Sequence, residues 1–160
     1  MRTILVFAAL TLFSQAGFSR GYSIFLNGGM DNVRDGEERK VASFGQVKIS
    51  TQGRLFRLHS GFTVLSGTEY VEGEAALGLS LYLLTPFVDP KAIVFPFLYG
   101  EGTAGIAYYQ KAERQDFGYG YGAGVDIKFL KHSGLSFSIS QHSATETTIR
   151  YTLGFFWISE

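Results

Sequence analysis

Three residues near the C-terminal end of the chain carry side chains suited to hydrolysis. Gln141-His142-Ser143 is followed by Glu146, and a hydroxyl nucleophile, an imidazole base and an orienting carboxylate are the groups that acyl-transfer sites use. His142 and Ser143 are adjacent, so in an extended chain their side chains diverge. We therefore expect a solvated loop and no catalytic residues, with an esterase at this position as the alternative.

Two further motifs resemble binding sites but lack the context that such sites need. His59 has no other His or Cys at a spacing suited to a metal ion, so we expect it to pair with Glu72 and expect no metal. The glycine-rich stretch GYGYGAG, residues 118–124, lacks the strand-to-helix context of a nucleotide-binding loop. The sequence predicts no cofactor.

The alternation in residues 116–129, DFGYGYGAGVDIKF, indicates which kind of element positions these groups. Aromatic or aliphatic residues occupy every second position, and glycines followed by Asp126 and Lys128 lie between them. Successive side chains of a β-strand point to opposite faces, so the pattern predicts a strand with one apolar and one small or charged face. Repeated glycine would weaken a helix by about 1 kcal/mol per residue relative to alanine.

The N-terminal 16 residues have the features of a secretory signal peptide. Arg2 precedes an apolar run from Ile4 to Phe13, and Ser14-Gln15-Ala16 supplies small residues for cleavage. We expect a signal peptide at 1–16 and a single domain at 17–160. Fourteen basic residues balance fourteen acidic ones without a basic stripe, which argues against a nucleic-acid partner. The chain has no cysteine, so its stability must come from burial and strand pairing.

Eight segments alternate like strands, and charged stretches at 31–40 and 111–116 are expected to form polar loops. Within the fifth segment the apolar positions change parity, from Phe95, Phe97 and Tyr99 to Ala104 and Ile106, which predicts a β-bulge at residues 100–102. The predicted strands are 22–30, 42–50, 54–65, 70–84, 92–110, 116–129, 135–141 and 147–158.

The narrow bore of an eight-stranded barrel decides which face is inside. A face that carries Phe117, Tyr121 and Trp157 would overfill such a bore, whereas the glycine and serine face fits. Charges removed from water need partners. The sequence therefore predicts a filled, non-conducting interior whose polar network contains Arg57, His59, Glu72, Glu74, Asp126, Lys128 and Arg150.

Pairing of the third and fourth strands across residues 66–69 suggests partners inside the bore. The assumed register places Arg57 opposite Glu74 and His59 opposite Glu72. On the last three strands, Asp126 and Arg150 are both expected to approach Ser138.

These features resemble the small outer-membrane barrels of Gram-negative bacteria, of the OmpA membrane-domain and OmpX kind. The resemblance is carried by FPFLYGEGTAGIAYYQK (95–111), FGYGYGAGVDIKF (117–129), the signal peptide and the last strand, IRYTLGFFW (149–157). It implies an all-β fold, an eight-stranded antiparallel up-and-down transmembrane β-barrel in the cell outer membrane. Such barrels usually end on an aromatic residue that the assembly machinery recognises, whereas this chain ends Trp157-Ile158-Ser159-Glu160.

The resemblance also implies a monomer with a structural or surface-interaction role and no enzymatic activity. Its expected partners are outer-membrane lipids, including lipopolysaccharide, and the barrel-assembly machinery. Two alternatives stay open. One is an esterase like the lipid A deacylases, built on His142, Ser143 and Glu146 at the barrel rim. The other is a soluble exported barrel that binds a small apolar ligand.

Overall fold

Eight antiparallel strands form a closed barrel, in which β8 pairs with β1. The computed structural model describes residues 21–35, 38–52, 56–67, 70–83, 93–109, 112–143 and 147–159. Within these ranges no helix is long and apolar enough to cross a membrane. The predicted eight-stranded up-and-down topology is confirmed. The strands are β1 Tyr22–Asp35, β2 Glu38–Gln52, β3 Phe56–Ser66, β4 Tyr70–Tyr82, β5 Val94–Tyr109, β6 Ala112–Leu130, β7 Ser133–Ser143 and β8 Thr147–Ser159.

The two ends of the barrel carry different parts of the chain. Tyr22 of β1 and Ser159 of β8 lie opposite each other at one end, here called the terminal end. The other end, called the distal end, carries the hairpins that join β1 to β2, β3 to β4, β5 to β6 and β7 to β8. The predicted signal peptide lies outside the described residues.

Two distal hairpins are longer than the sequence pattern predicts. β1 and β2 stay paired up to Asp35 and Glu38, and β5 and β6 stay paired up to Tyr109 and Ala112. The predicted loops at 31–40 and 111–116 are therefore wrong over most of their length. Ladder hydrogen bonds join backbone groups, so strand pairing can continue beyond the point where apolar alternation stops.

β5 carries apolar residues on both of its faces. Phe95, Phe97 and Tyr99 are buried inside the barrel, whereas Val94 and Leu98 are exposed outside. β5 pairs with β4 and β6 without a shift of register, so the predicted bulge at residues 100–102 is wrong. The one irregularity among the described pairings of β6 with β7 lies between residues 128 and 130.

Glycines on β6 explain how a narrow bore accommodates these rings. Gly124 lies opposite Phe97, and a Cβ added at Gly124 would overlap the Phe97 ring. A Cβ at Gly120 would likewise overlap the imidazole of His142 on β7. The argument that aromatic residues would overfill the bore is therefore wrong for β5, because the neighbouring strand supplies the missing volume.

The outside of the barrel is apolar on all eight strands. Leu79 exposes 47% of its surface, Phe117 75% and Trp157 63%. Soluble proteins bury most residues of this kind. An apolar outer face around a polar interior is the arrangement of a transmembrane barrel. The exposed set includes Ile24, Ile49, Phe62, Leu79, Leu98, Phe117, Ile139 and Trp157, one from each strand in order.

Candidate functional site: the charged interior

Three clusters of polar and charged side chains lie inside the bore among the described residues. The terminal-end cluster is Arg57, Tyr82, Asp126 and Ser136. The central cluster is Lys48, His59, Glu101 and His142. The distal cluster is Asp31, Glu74 and Arg150.

In the terminal-end cluster, the ion pair between Arg57 and Asp126 is fully hydrogen-bonded on its acidic side. Arg57 Nη1 and Tyr82 Oη each donate to Asp126 Oδ2 at 2.7 Å. Ser136 Oγ donates to Asp126 Oδ1 at 2.6 Å. Because both carboxylate oxygens have donors, the pair meets the condition under which buried charges offset the cost of leaving water.

Aromatic rings surround the guanidinium of Arg57. Its Cζ atom lies 4.5 Å from the ring centre of Phe25, 4.8 Å from that of Phe97 and 5.2 Å from that of Tyr82. A cation over an aromatic face is stabilised by about 2 kcal/mol or more when it is desolvated. The inward position of Phe97 is thus part of what holds this charge inside the barrel.

In the central cluster, Glu101 of β5 receives side chains from three other strands. Lys48 Nζ of β2 and His59 Nε2 of β3 each lie 3.0 Å from Glu101 Oε2. His142 Nε2 of β7 lies 3.6 Å from Glu101 Oε1. The carboxylate of Glu101 therefore links β2, β3, β5 and β7 across the bore.

In the distal cluster, one cation lies between two carboxylates. Arg150 Nε donates to Asp31 Oδ2 at 3.1 Å, and Arg150 Nη1 donates to Glu74 Oε1 at 3.0 Å. The ring centre of Phe44 lies 5.2 Å from Arg150 Cζ. Asp31 and Arg150 are opposite each other on β1 and β8, so this cluster also spans the pairing that closes the barrel.

A small cavity lies between the central cluster and the terminal-end cluster. A cavity of about 20 Å³ touches Lys48 and His59 of the central cluster and Arg57 of the terminal-end cluster. That volume holds about one water molecule. Beside it, Asn27 Nδ2 donates to Gln46 Oε1 at 2.9 Å.

The register of β3 with β4 differs from the predicted one. Ser80 lies opposite Arg57, and Gly78 lies opposite His59. The two registers differ by an even number of residues, and such a shift leaves the same faces inside. The pattern of alternation therefore cannot distinguish between them.

The predicted partners of Arg57 and His59 are consequently wrong. Glu74 binds Arg150 and not Arg57. Glu72 is half-buried, and its carboxylate lies over β5, where a Cβ at residue 105 would come within 2.7 Å of Glu72 Oε1. His59 contacts Glu101 in place of Glu72.

Asp126 and Arg150 do not meet at Ser138. Asp126 lies opposite Ser136, and Arg150 lies opposite Ser140, so that prediction is wrong. Lys128 is half-buried near the terminal end and forms no ion pair with another described residue. It therefore belongs to none of the three clusters.

Four acidic or basic members of the clusters are missing from the predicted network. Lys48 alternates with exposed Val47 and Ile49, so its inward position was available from the pattern. His142 continues the inward series of Ser136, Ser138 and Ser140 beyond the predicted end of the strand. Asp31 lies just beyond the predicted end of β1. Glu101 lies within the predicted bulge at residues 100–102, so the alternation did not assign its side chain to a face. The four are Asp31, Lys48, Glu101 and His142.

The described groups around His142 do not form a catalytic triad. The prediction of a solvated loop is wrong for this residue, which is buried inside the barrel. Ser140 Oγ and Glu101 Oε1 both approach the same imidazole nitrogen, Nε2, at 3.0 and 3.6 Å. A catalytic triad needs the nucleophile and the acid on different nitrogens, and His142 Nδ1 has no hydrogen-bond partner. Ser143 lies on the opposite face of β7, and Glu146 lies outside the described residues.

Solved structures of small barrels are similar to this one. Neisserial surface protein A gives a TM-score of 0.72 at 8% identity, over 85% of this chain and 96% of that chain. The N-terminal β-barrel domain of Pseudomonas aeruginosa OprF gives 0.72 at 11% identity, over 89% and 100%. The fold is that of the small outer-membrane barrels.

A third similar structure is Ail, the attachment invasion locus protein of Yersinia pestis, in complex with the heparin analogue sucrose octasulfate. Its TM-score is 0.64 at 14% identity, over 87% of this chain and 99% of that chain. No protein-family model matches the chain, and no curated protein matches it in sequence. The resemblance predicted from the sequence is thus confirmed at the level of the fold.

Proposed function

We propose that this chain is an integral outer-membrane barrel with a structural or surface-interaction role, and that its bore is closed to ions at neutral pH. The observation that carries the proposal is the reversed polarity of the barrel, with large apolar side chains outside and buried charges inside. Hydrocarbon is the solvent in which such an exterior is stable. A closed barrel also leaves no strand edge with unpaired backbone groups in it.

The filled interior supports the closed state. Three ion-paired clusters occupy successive levels of the bore, and the cavity of about 20 Å³ holds about one water. Barrels of eight strands have interiors just wide enough for their own side chains. We infer that the clusters stabilise the barrel and do not conduct at neutral pH.

The partners follow from the same surface. Outer-membrane lipids, including lipopolysaccharide, cover the apolar exterior, and the barrel-assembly machinery inserts the chain. A closed barrel has no free strand edge through which a second copy could pair, so we propose a monomer. The attachment invasion locus protein and the Neisserial surface protein have similar barrels, which supports a surface role.

Fluorescence of the one tryptophan tests the membrane assignment. Trp157 points outward and exposes 63% of its surface. In vesicles whose lipids carry bromine near the headgroup, its emission should be quenched, and the unboiled protein should migrate differently from the boiled protein in a detergent gel. Quenching by acrylamide in the absence of quenching by brominated lipid would contradict the proposal.

A matched variant moves the fluorophore to the inner face of the same strand. Phe156 is adjacent to Trp157 and exposes only 3% of its surface. The double variant Trp157→Phe/Phe156→Trp should lose lipid quenching if it still folds by the gel criterion. The variant Trp157→Phe/Phe155→Trp keeps the fluorophore outside and should retain it.

A further inference from the structure

Two of the three histidines of the chain lie on either side of one buried carboxylate. Glu101 Oε2 forms hydrogen bonds with Lys48 Nζ and His59 Nε2, each at 3.0 Å. Glu101 Oε1 faces His142 Nε2 at 3.6 Å. Oε2 therefore has two hydrogen-bond partners, whereas Oε1 faces the imidazole of His142 beyond hydrogen-bond distance. No other carboxylate contacts Lys48 or His59 among the described residues.

The charge of this central cluster depends on the two imidazoles. While both rings are neutral, Lys48 and Glu101 balance each other. When both rings are protonated, three cations surround one carboxylate, and the positive charge that the carboxylate does not balance is buried in a medium of low dielectric constant, where uncompensated charge is costly. The carboxylates of the other clusters are already bound to Arg57 and Arg150.

The groups around each ring come from most of the strands. Those that face His59 are Lys48 of β2, Arg57 of β3, Ser80 of β4, and Tyr99 and Glu101 of β5. Those that face His142 are Asp31 of β1, Glu74 of β4, Glu101 of β5, Ser140 of β7 and Arg150 of β8. Arg150 donates hydrogen bonds to both Asp31 and Glu74. Neither carboxylate can therefore pair with a protonated His142 without losing its bond to Arg150.

Both imidazoles lie close to a glycine of a neighbouring strand. A Cβ at Gly120 would lie 2.6 Å from His142 Cε1 and 2.7 Å from His142 Nδ1, and a Cβ at Gly78 would lie 2.5 Å from His59 Nε2. The backbones of β4 and β6 therefore leave little room beside the imidazoles. His142 Nδ1 is buried without a hydrogen-bond partner, so a proton bound there has no acceptor unless the cluster rearranges.

We propose that the bore is an acid-opened path for small ions. Protons taken from the aqueous phase by His59 and His142 break the contacts of Glu101 that join β2, β3, β5 and β7, and water and small ions then enter the vacated level. Imidazole is the ordinary side chain that gains its charge as the pH falls below neutral, so acid drives the change. This activity goes beyond the proposed function, which describes the closed bore at neutral pH.

Conductance of the purified protein in planar lipid bilayers tests the path. In potassium chloride the native chain should be silent at about pH 7.5 and show channel events at about pH 4.5, on either side of the range in which imidazole titrates. The variant His59→Gln/His142→Gln should stay silent at both values. His132→Gln is the matched control, because His132 lies in the turn between β6 and β7, and it should behave like the native chain.

Silence of the native chain at the acidic value would overturn the proposal, and so would channel events in the double variant. If the double variant does not fold, Glu101→Gln provides a second test: it removes the carboxylate from Lys48 and should open the bore at neutral pH. Circular dichroism and the unboiled gel must show a folded barrel at both values, since acid unfolding in place of conduction also contradicts the proposal.

A chain that fails the Trp157 test is not a membrane barrel, whereas one that passes it and stays closed contradicts only the acid-opened path.

Discussion

Buried charges in this barrel find partners that are far away in sequence. Arg57 and Asp126 are 69 residues apart, and Arg150 and Glu74 are 76 residues apart. Each guanidinium also lies near an aromatic ring. Removing one partner of such a pair is more damaging than removing both, because the remaining charge stays buried without compensation.

The pair of Arg57 with Asp126 gives a residue-scale prediction. Asp126→Ala should lower the free energy of unfolding by about 3–5 kcal/mol, because it leaves the Arg57 cation without its carboxylate. The double variant Arg57→Ala/Asp126→Ala should lose less than the sum of the two single variants. Urea titration of the protein refolded into lipid vesicles measures all three values.

Glu74 supplies the control for this cycle. Arg57 and Glu74 share no contact, because Glu74 binds Arg150 and Arg57 lies opposite Ser80. The losses caused by Arg57→Ala and Glu74→Ala should therefore add. Coupling between Arg57 and Glu74, together with additivity between Arg57 and Asp126, would support the register predicted from the sequence and contradict the one in the structure.

At the scale of the element, the two faces of β4 lie in two different environments, the outside of the barrel and its interior. Leu79 is half-exposed on the outside, and its neighbour Ser80 is buried in the bore. Leu83 follows the end of β4 at the terminal rim and is also exposed outside. The two leucines therefore differ in their distance from the end of the barrel while they share a face.

A charge introduced on this face should have an effect that depends on depth. Leu79→Arg lies closer to the middle of the hydrocarbon and should lower the free energy of unfolding by about 2–4 kcal/mol, whereas Leu83→Arg near the interface should lower it by about 0–1 kcal/mol. Urea titration in the same vesicles measures both. Equal losses at Leu79 and Leu83 would argue that this face of β4 does not cross hydrocarbon.

At the scale of the whole molecule, closure depends on the pairing of the first and last strands. Asp31 and Arg150 form an ion pair across this seam, and Phe25 and Phe156 stack with ring centres 5.4 Å apart. The side chain of Asn27 occupies the space above Gly154, where a Cβ would overlap its Oδ1 atom. The seam thus combines charge, stacking and close backbone approach.

Enlarging Gly154 should weaken the closed barrel. Gly154→Ala places a methyl group where Asn27 lies, and overpacking of this kind costs about 1–3 kcal/mol. Gly45→Ala is the control, because a Cβ there meets nothing within 4 Å, and it should change stability by less than about 0.5 kcal/mol. The folded fraction in unboiled gels across a urea series compares the two, and similar losses would show that the seam does not depend on this contact.

The sequence alone determined the number of strands, their up-and-down order and most of their facing. Phe117, Tyr119 and Tyr121 lie outside, and Asp126 lies inside, as the alternation predicts. This information is local, because a strand exposes its two faces with a period of two whatever it pairs with. The same alternation also predicted that Arg57, His59, Glu74 and Arg150 point into the bore.

Only the tertiary structure decided which of these side chains meet. A slip of two residues between strands leaves every face unchanged and replaces every partner. The alternation therefore could not predict that Arg57 lies opposite Ser80 or that it binds Asp126. Contacts across the bore depend on the stagger of all eight strands together, so no local pattern brings Lys48, His59 and His142 to Glu101. The inward turn of Phe97 has the same origin, since its space is provided by Gly124 on the next strand.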